Sequence, residues 1–131
     1  VTTEPSARAD ELAHAVIGAA IEVHRLLGPG YLEKIYEEAL SIELGFRGIP
    51  FQRQHPVAVL FKGHVCGEGK LDFLVGQELV VELKAVDLVG PIYKAQVISY
   101  LKVTGLKLGL LINFKSVLAK SGISRVVLTD E

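Results

Sequence analysis

The sequence has a single cysteine, Cys66, so no internal disulfide is open to it. No apolar run approaches the roughly 18 residues that a membrane-spanning helix requires, and charged residues recur along the chain. A formal net charge of −1 excludes a strongly basic coat, so any contact with a nucleic acid must be local. His14, His24, His55 and His64 show no tight metal-ligand spacing. Internal repeats, low-complexity tracts and interdomain linkers are also lacking. The first ten residues, VTTEPSARAD, have neither the basic nor the apolar region of a secretory leader. With the unpaired thiol, this leads to the expectation of a reducing, cytoplasmic setting. Cys66 itself reads as a small packed side chain rather than a nucleophile.

What is present is a chain of 131 residues, half of them hydrophobic, which is enough for one core. Residues 1–8 are polar and aperiodic and are expected to form a frayed tail, leaving one domain over 9–131. From Asp10, a candidate cap, Leu12, Val16, Ala19, Ala20, Val23 and Leu27 recur at helical spacing until GPG. In YLEKIYEEALSIELGFRG a second apolar stripe runs through Leu32, Ile35, Tyr36, Ala39, Leu40 and Ile42 and stops at Gly48. After Pro50 the period changes to two. FQRQHPVAVLFKG and HVCGEGKLDFLV predict strands joined by a tight turn at Lys62-Gly63, and ELVVELKAV predicts a third. Gly90-Pro91 opens the helix IYKAQVISYLKVTG. LKLGLLINF predicts a strand covered on both faces, and ISRVVL a short last one. The expected fold is α/β, a mixed sheet flanked by helices in the order α-α-β-β-β-α-β(-β).

Charges interrupt the apolar hairpin GKLDFLVGQELVVELKAV. A three-residue loop, Gly76-Gln77-Glu78, pairs Val75 with Leu79, Phe73 with Val81 and Leu71 with Leu83, which makes one face wholly apolar. The other face then sets Asp72 opposite Glu82 and Lys70 opposite Lys84, with Leu74 beside Val80. A two-residue loop would scramble both faces. Carboxylates about 5 Å apart at their β-carbons repel unless a cation lies between them, and hard oxygen ligands suit Mg²⁺ or Mn²⁺. Lys84, on the same face, is placed to hold an attacking water or to stabilise charge on a phosphoryl oxygen. The competing reading from spacing alone is a solvent-facing ladder on an edge strand.

Asp72, followed after nine residues by ELK, resembles the Asp…Glu-x-Lys signature of the PD-(D/E)XK nuclease superfamily, whose core is a helix, three strands, a helix and a strand. More specifically, EVHRLLGPGYLEKIYEEALSIEL resembles the small bacterial and archaeal GxxExxY proteins, with Gly30, Glu33 and Tyr36 in the named motif. FQRQHPVAVLFKG, ELKAV and KLGLLINF extend the likeness, which runs from Glu11 to Val127. The resemblance implies a nuclease-like core and a Mg²⁺- or Mn²⁺-dependent nuclease acting on DNA through a local site. It also implies residue roles: Asp72, Glu82 and, by position, Glu33 holding the ion, and Lys84 orienting water. Gln96 and Tyr100 in QVISY match a Gln-x-x-x-Tyr motif and would support the site from one helix face.

By residue type alone, Glu33 reads as a first-turn carboxylate favoured by the helix dipole and His24 as a helix C-terminal cation. Tyr36 reads as packing, and Arg53 and Lys70 as phosphate contacts or solvated charges. The alternative class is a non-catalytic nucleic-acid-binding or oligomeric accessory module, dimeric through the apolar faces of the N-terminal helices. Hydrolysis of a small phosphoester is a third reading.

Overall fold

The computed structural model describes residues 4–117 and 119–129. Helix α1 spans Ala7–Leu27 and is capped by Ser6, whose hydroxyl accepts from the Ala9 amide at 3.0 Å. The cap is therefore not Asp10, which lies in the first turn and pairs with Arg125 at 2.8 Å. Of the tail expected over 1–8, residues 1–3 lie outside the described residues, and Ser6 already caps the helix. Leu12, Val16, Ala19, Ala20 and Val23 are buried, as their spacing predicts. The helix stops at Gly28, whose φ of 72° suits a residue without a β-carbon. No helix of the described residues is long and apolar enough to cross a membrane.

Helix α2 spans Glu33–Phe46 and buries Tyr36, Leu40 and Leu44, a single row four residues apart. The wider stripe predicted from sequence is not all used: Ala39 packs against the core beside that row, whereas Leu32, Ile35 and Ile42 are exposed. Tyr36 ties the turn between the two helices. Its hydroxyl donates to the Gly28 carbonyl and accepts from the Tyr31 amide at 3.0 Å, and its ring stacks on Phe114 at 4.6 Å. Tyr36→Phe keeps the stacked ring but leaves both backbone groups without that partner. A loss of about 1 to 3 kcal/mol is expected in urea unfolding, with Mn²⁺ binding unchanged. Intact stability would show that the hydroxyl does not hold the turn.

Five strands form one sheet in the order β1-β2-β3-β4-β5: Phe51–Phe61, His64–Val75, Leu79–Lys84, Leu108–Asn113 and Ile123–Val127. Successive pairs are antiparallel except β3 and β4, which are parallel and joined through helix α3, Pro91–Thr104. Helices α1 and α2 cover one face, packing on Phe73, Val75, Leu79, Val81 and Leu83. Helix α3 covers the other through Val97 and Leu101, against Leu74, Val80 and Leu111. Strand β4 is buried along its whole length, as its unbroken apolar run predicts. The architecture is the expected mixed sheet flanked by helices, and the short last strand is present.

Near the β2–β3 turn the register agrees with the sequence: Val75 faces Leu79, Leu74 faces Val80 and Phe73 faces Val81. The three-residue loop is accommodated by left-handed Gly76 and Gln77, at φ 57° and 62°. Beyond Phe73 the two strands part. The expected Leu71–Leu83 and Lys70–Lys84 pairs are not formed: Leu71 packs on the α3 side, Leu83 on the α1–α2 side, and Lys84 lies opposite Asn113 of β4. The physical cause is local, since the Leu83 amide donates to a carboxylate oxygen of Asp72 at 2.8 Å. Cys66 departs from expectation too, being exposed on β2 with its sulfur 3.3 Å from the Val59 carbonyl.

Candidate active site

Asp72 and Glu82 occupy the point where β2 and β3 separate. Asp72 accepts from the Leu83 amide on one oxygen and from the Gln54 side-chain amide on the other, at 2.8 and 3.3 Å. Its own amide donates to Glu82 at a long 3.4 Å. The two side chains are neighbours because each stands in for a missing rung of the ladder, rather than because they face each other across it.

Glu82 is 4% exposed, and its Oε1 has no hydrogen-bond partner. β3 lies in the interior of the sheet and α3 covers this face, so the solvent-facing edge ladder does not describe the hairpin. A buried carboxyl beside a second one resists ionisation. Burial first, and the Asp72 carboxylate second, push Glu82 up to about 10, with Lys84 opposing. An orphaned buried oxygen carries a real cost unless something positive or a donor reaches it.

Three further expected residues converge here. Lys84 is half-buried, with its ammonium 4.8 Å from the centre of the Tyr93 ring, and makes no ion pair among the described residues. Glu33, in the first turn of α2, is surface-exposed as a residue, yet its carboxyl titrates above the usual range. Desolvation is the main cause and the Asp72 charge the next, with Lys84 opposing, so Glu33 lies within electrostatic reach of both. Tyr100 on α3 is raised by burial and then by Glu82 and Asp72, while hydrogen bonds with the Gln96 side chain and the Lys70 backbone oppose the shift. Gly69 makes room for it, because a β-carbon there would lie 2.8 Å from the Tyr100 ring.

Other candidates are occupied elsewhere. Arg53 binds Glu37 at 2.8 Å and Glu38 at 2.7 Å, so its charge is satisfied on α2. His24 lies in the last turn of α1, as its position predicts, and is buried with Nε2 2.7 Å from the Ser116 carbonyl, pinning α1 to the segment after β4. Lys70 is exposed, and it is its backbone that meets Tyr100.

Sequence reasoning passed over three residues that build the site. Gln54 and Glu37 are linked at 2.8 Å and connect Asp72 to α2. Asn113 is buried and holds both the amide and the carbonyl of Val86, at 3.1 and 2.9 Å, which fixes the end of the strand carrying Lys84. Glu37 was findable, because it follows Glu33 by one helical turn. Gln54 carries no signal in a strand of alternating polarity.

Among the described residues no group of three or more His, Cys, Asp or Glu side chains is arranged to hold a metal ion. Asp72, Glu82 and Glu33 thus form a pair with a third carboxylate nearby, not a closed cage. The donor set nonetheless fits Mg²⁺, which keeps several waters and binds through one or two carboxylates, and the orphaned Glu82 oxygen is of the hard type that ion takes once the carboxyl is deprotonated. The family model described as the PD-(D/E)XK nuclease superfamily matches residues 10–126 of the chain. No curated protein matches it.

Proposed function

The chain belongs to the PD-(D/E)XK nuclease superfamily, and from that premise we propose that it is a Mg²⁺- or Mn²⁺-dependent nuclease hydrolysing phosphodiester bonds, with DNA as substrate. Within the superfamily we assign it to the GxxExxY proteins, on Gly30, Glu33 and Tyr36. The observation that carries the reading is the buried, unpartnered Glu82 oxygen beside Asp72 in the interior of a sheet.

In this reading Asp72 and Glu82 hold the ion and Glu33 joins them from α2. When bound, the ion polarises a phosphoryl oxygen and makes water a stronger nucleophile at neutral pH. Lys84 orients that water or stabilises charge developing on the phosphate, its ammonium kept in place over Tyr93. Tyr100, whose hydroxyl is held in the protonated form, and Gln96 provide neutral donors from α3. Because Arg53 is already paired with Glu37 and Glu38, it should add little either to affinity for the polyanion or to its salt dependence.

Two measurements test this. Single-stranded, duplex, nicked and branched DNA, and RNA, are incubated with the protein across Mg²⁺ and Mn²⁺; metal-dependent products are expected, and they should vanish in Asp72→Ala. Thermal unfolding with and without Mn²⁺ gives an independent readout. Saturation at tens to hundreds of times Kd should stabilise the parent by about 2 to 3 kcal/mol, and most of that gain should be lost in Asp72→Asn. Asp72→Asn without metal should melt at or above the parent, since the Asp72 charge no longer helps to raise the buried Glu82 carboxyl. Equal Mn²⁺ gains in parent and variant would remove Asp72 from the ligand set.

A second reading is favoured by a groove of about 230 Å³ between α1 and α2, lined by Leu26, Ile42 and Phe46 among others. These three are 66%, 57% and 83% exposed. An accessory module that dimerises with a second copy through this face would account for them. Sedimentation showing a monomer at high concentration, unchanged in Phe46→Glu, would remove it.

A further inference from the structure

Gln54 has a left-handed backbone, φ 49°, within strand β1. The other non-glycine residues with positive φ among those described, Lys62 and Gln77, sit in the two hairpin turns, where that conformation is required. Inside a strand it costs a non-glycine residue about 1 kcal/mol or more and persists only where the surroundings impose it. Gln54 is exposed, so burial of apolar surface does not offset that cost. Its side-chain amide donates to Glu37 Oε1 at 2.8 Å and to Asp72 Oδ1 at 3.3 Å. Both partners are carboxylates and accept only, which forces the NH₂ end of the amide toward them.

We propose that Gln54 is the positioning residue of Asp72, using an amide anchored on Glu37 to set the carboxylate's orientation toward the cation. With the Leu83 amide on Oδ2, both oxygens of Asp72 are then held, and the plane of the carboxylate is set from two sides. A neutral donor does this without cancelling the charge that a cation needs, whereas a lysine or arginine at the same place would compete with the metal. Arg53, the residue before it, supplies the neighbouring positive charge but directs it to Glu37 and Glu38. The anchor is thereby held, and no cationic side chain pairs with Asp72 among the described residues. Groups that orient metal-ligating carboxylates typically change metal affinity or activity 10- to 100-fold when removed.

The proposal rests on the metal-dependent reading of the same site, and its test separates the two. Mn²⁺ affinity is measured by the paramagnetic resonance of free ion for the parent, Gln54→Ala and Gln54→Gly. Affinity is expected to fall about 10- to 100-fold in both variants, and kcat on DNA should fall while KM stays within about twofold. Gln54→Gly relieves the backbone and should be at least as stable as Gln54→Ala, yet regain no affinity, which distinguishes positioning from folding. A parent-like Kd in Gln54→Ala overturns the proposal. If the parent itself takes up no Mn²⁺, the metal reading falls, and hydrogen exchange at the Leu83 amide then decides for Gln54. Exchange faster by about tenfold in Gln54→Ala, with Val81 unchanged, supports its hold on Asp72; unchanged exchange overturns it.

Discussion

Replacing Lys84 with alanine is expected to slow metal-supported phosphodiester cleavage about a thousand-fold, equivalent to about 4 kcal/mol of transition-state stabilisation. Mn²⁺ affinity should change little. Lys84 stands two residues beyond Glu82 on the same side of β3, and its ammonium makes no ion pair among the described residues. Its long-range partners are Glu33 and Glu82, whose upward shifts it opposes without overcoming. A cation in that position, resting on the Tyr93 ring at 4.8 Å, is available to an oxygen that becomes more negative as a P–O bond breaks. Because such an interaction strengthens in the transition state, the loss should appear in kcat rather than KM. Lys84→Met keeps the apolar stem over Tyr93 and should be as inactive as Lys84→Ala, while Lys84→Arg should rescue poorly, since a planar guanidinium is not a point charge. Single-turnover cleavage with purified variants is the measurement. A Lys84→Ala rate within about threefold of the parent would show that the ammonium takes no part in the chemistry.

The second large effect concerns stability and pH in the absence of metal. Glu82 has an ordinary value of 4.5 when the chain is unfolded and is pushed up to about 10 in the fold, chiefly by burial and then by Asp72. Between those values the native state keeps a proton that the unfolded state has released, so the unfolded state binds fewer protons and stability must fall as pH rises. The penalty is absent below pH 4.5 and complete only above about 10. At about 1.4 kcal/mol per pH unit, moving from pH 5 to pH 8 should cost the metal-free protein on the order of 4 kcal/mol. Glu33, raised from 4.5, acts in the same direction over the acidic part of this range, whereas Tyr100, raised from 10.0, does so only at higher pH.

Glu82→Gln, which cannot ionise, should flatten most of this slope and be the more stable protein at pH 8. Urea unfolding in EDTA at several pH values measures both curves. Parallel curves would mean that Glu82 is ionised in the native state at neutral pH. Metal uptake near pH 7 should then release about one proton, and its apparent affinity should rise with pH.

The order of the elements and the turn of the central hairpin were legible in the sequence because both are local. Alternating polarity marks a strand, helical spacing marks a buried stripe, and a glycine with positive φ marks a turn, and each needs only its near neighbours. So it was with Gly28, with the Gly76-Gln77-Glu78 loop, and with Phe73 facing Val81. That Glu82 and Lys84 share a face follows from the same alternation, and the covered strand β4 from its unbroken apolar run.

Only the tertiary structure decided what those residues experience. A period of two records that Glu82 and Lys84 share a face; whether water or α3 lies on that face depends on a helix about ten to twenty residues away, packed through Val97 and Leu101. That distant packing turns an ordinary charged ladder into a buried carboxyl with an orphaned oxygen. The parting of β2 from β3 at Asp72 was invisible for the same reason. It replaces backbone pairing by a side-chain bond to Leu83, and it is braced by Gln54 from a third strand and Glu37 from a helix. Likewise Leu32, Ile35 and Ile42 look buried by type but are exposed, because α2 turns the side carrying Tyr36, Ala39, Leu40 and Leu44 to the core and these three lie off it. Local pattern thus decides which side chains travel together. Desolvation and charge, which act through space rather than along the chain, decide what chemistry they can perform.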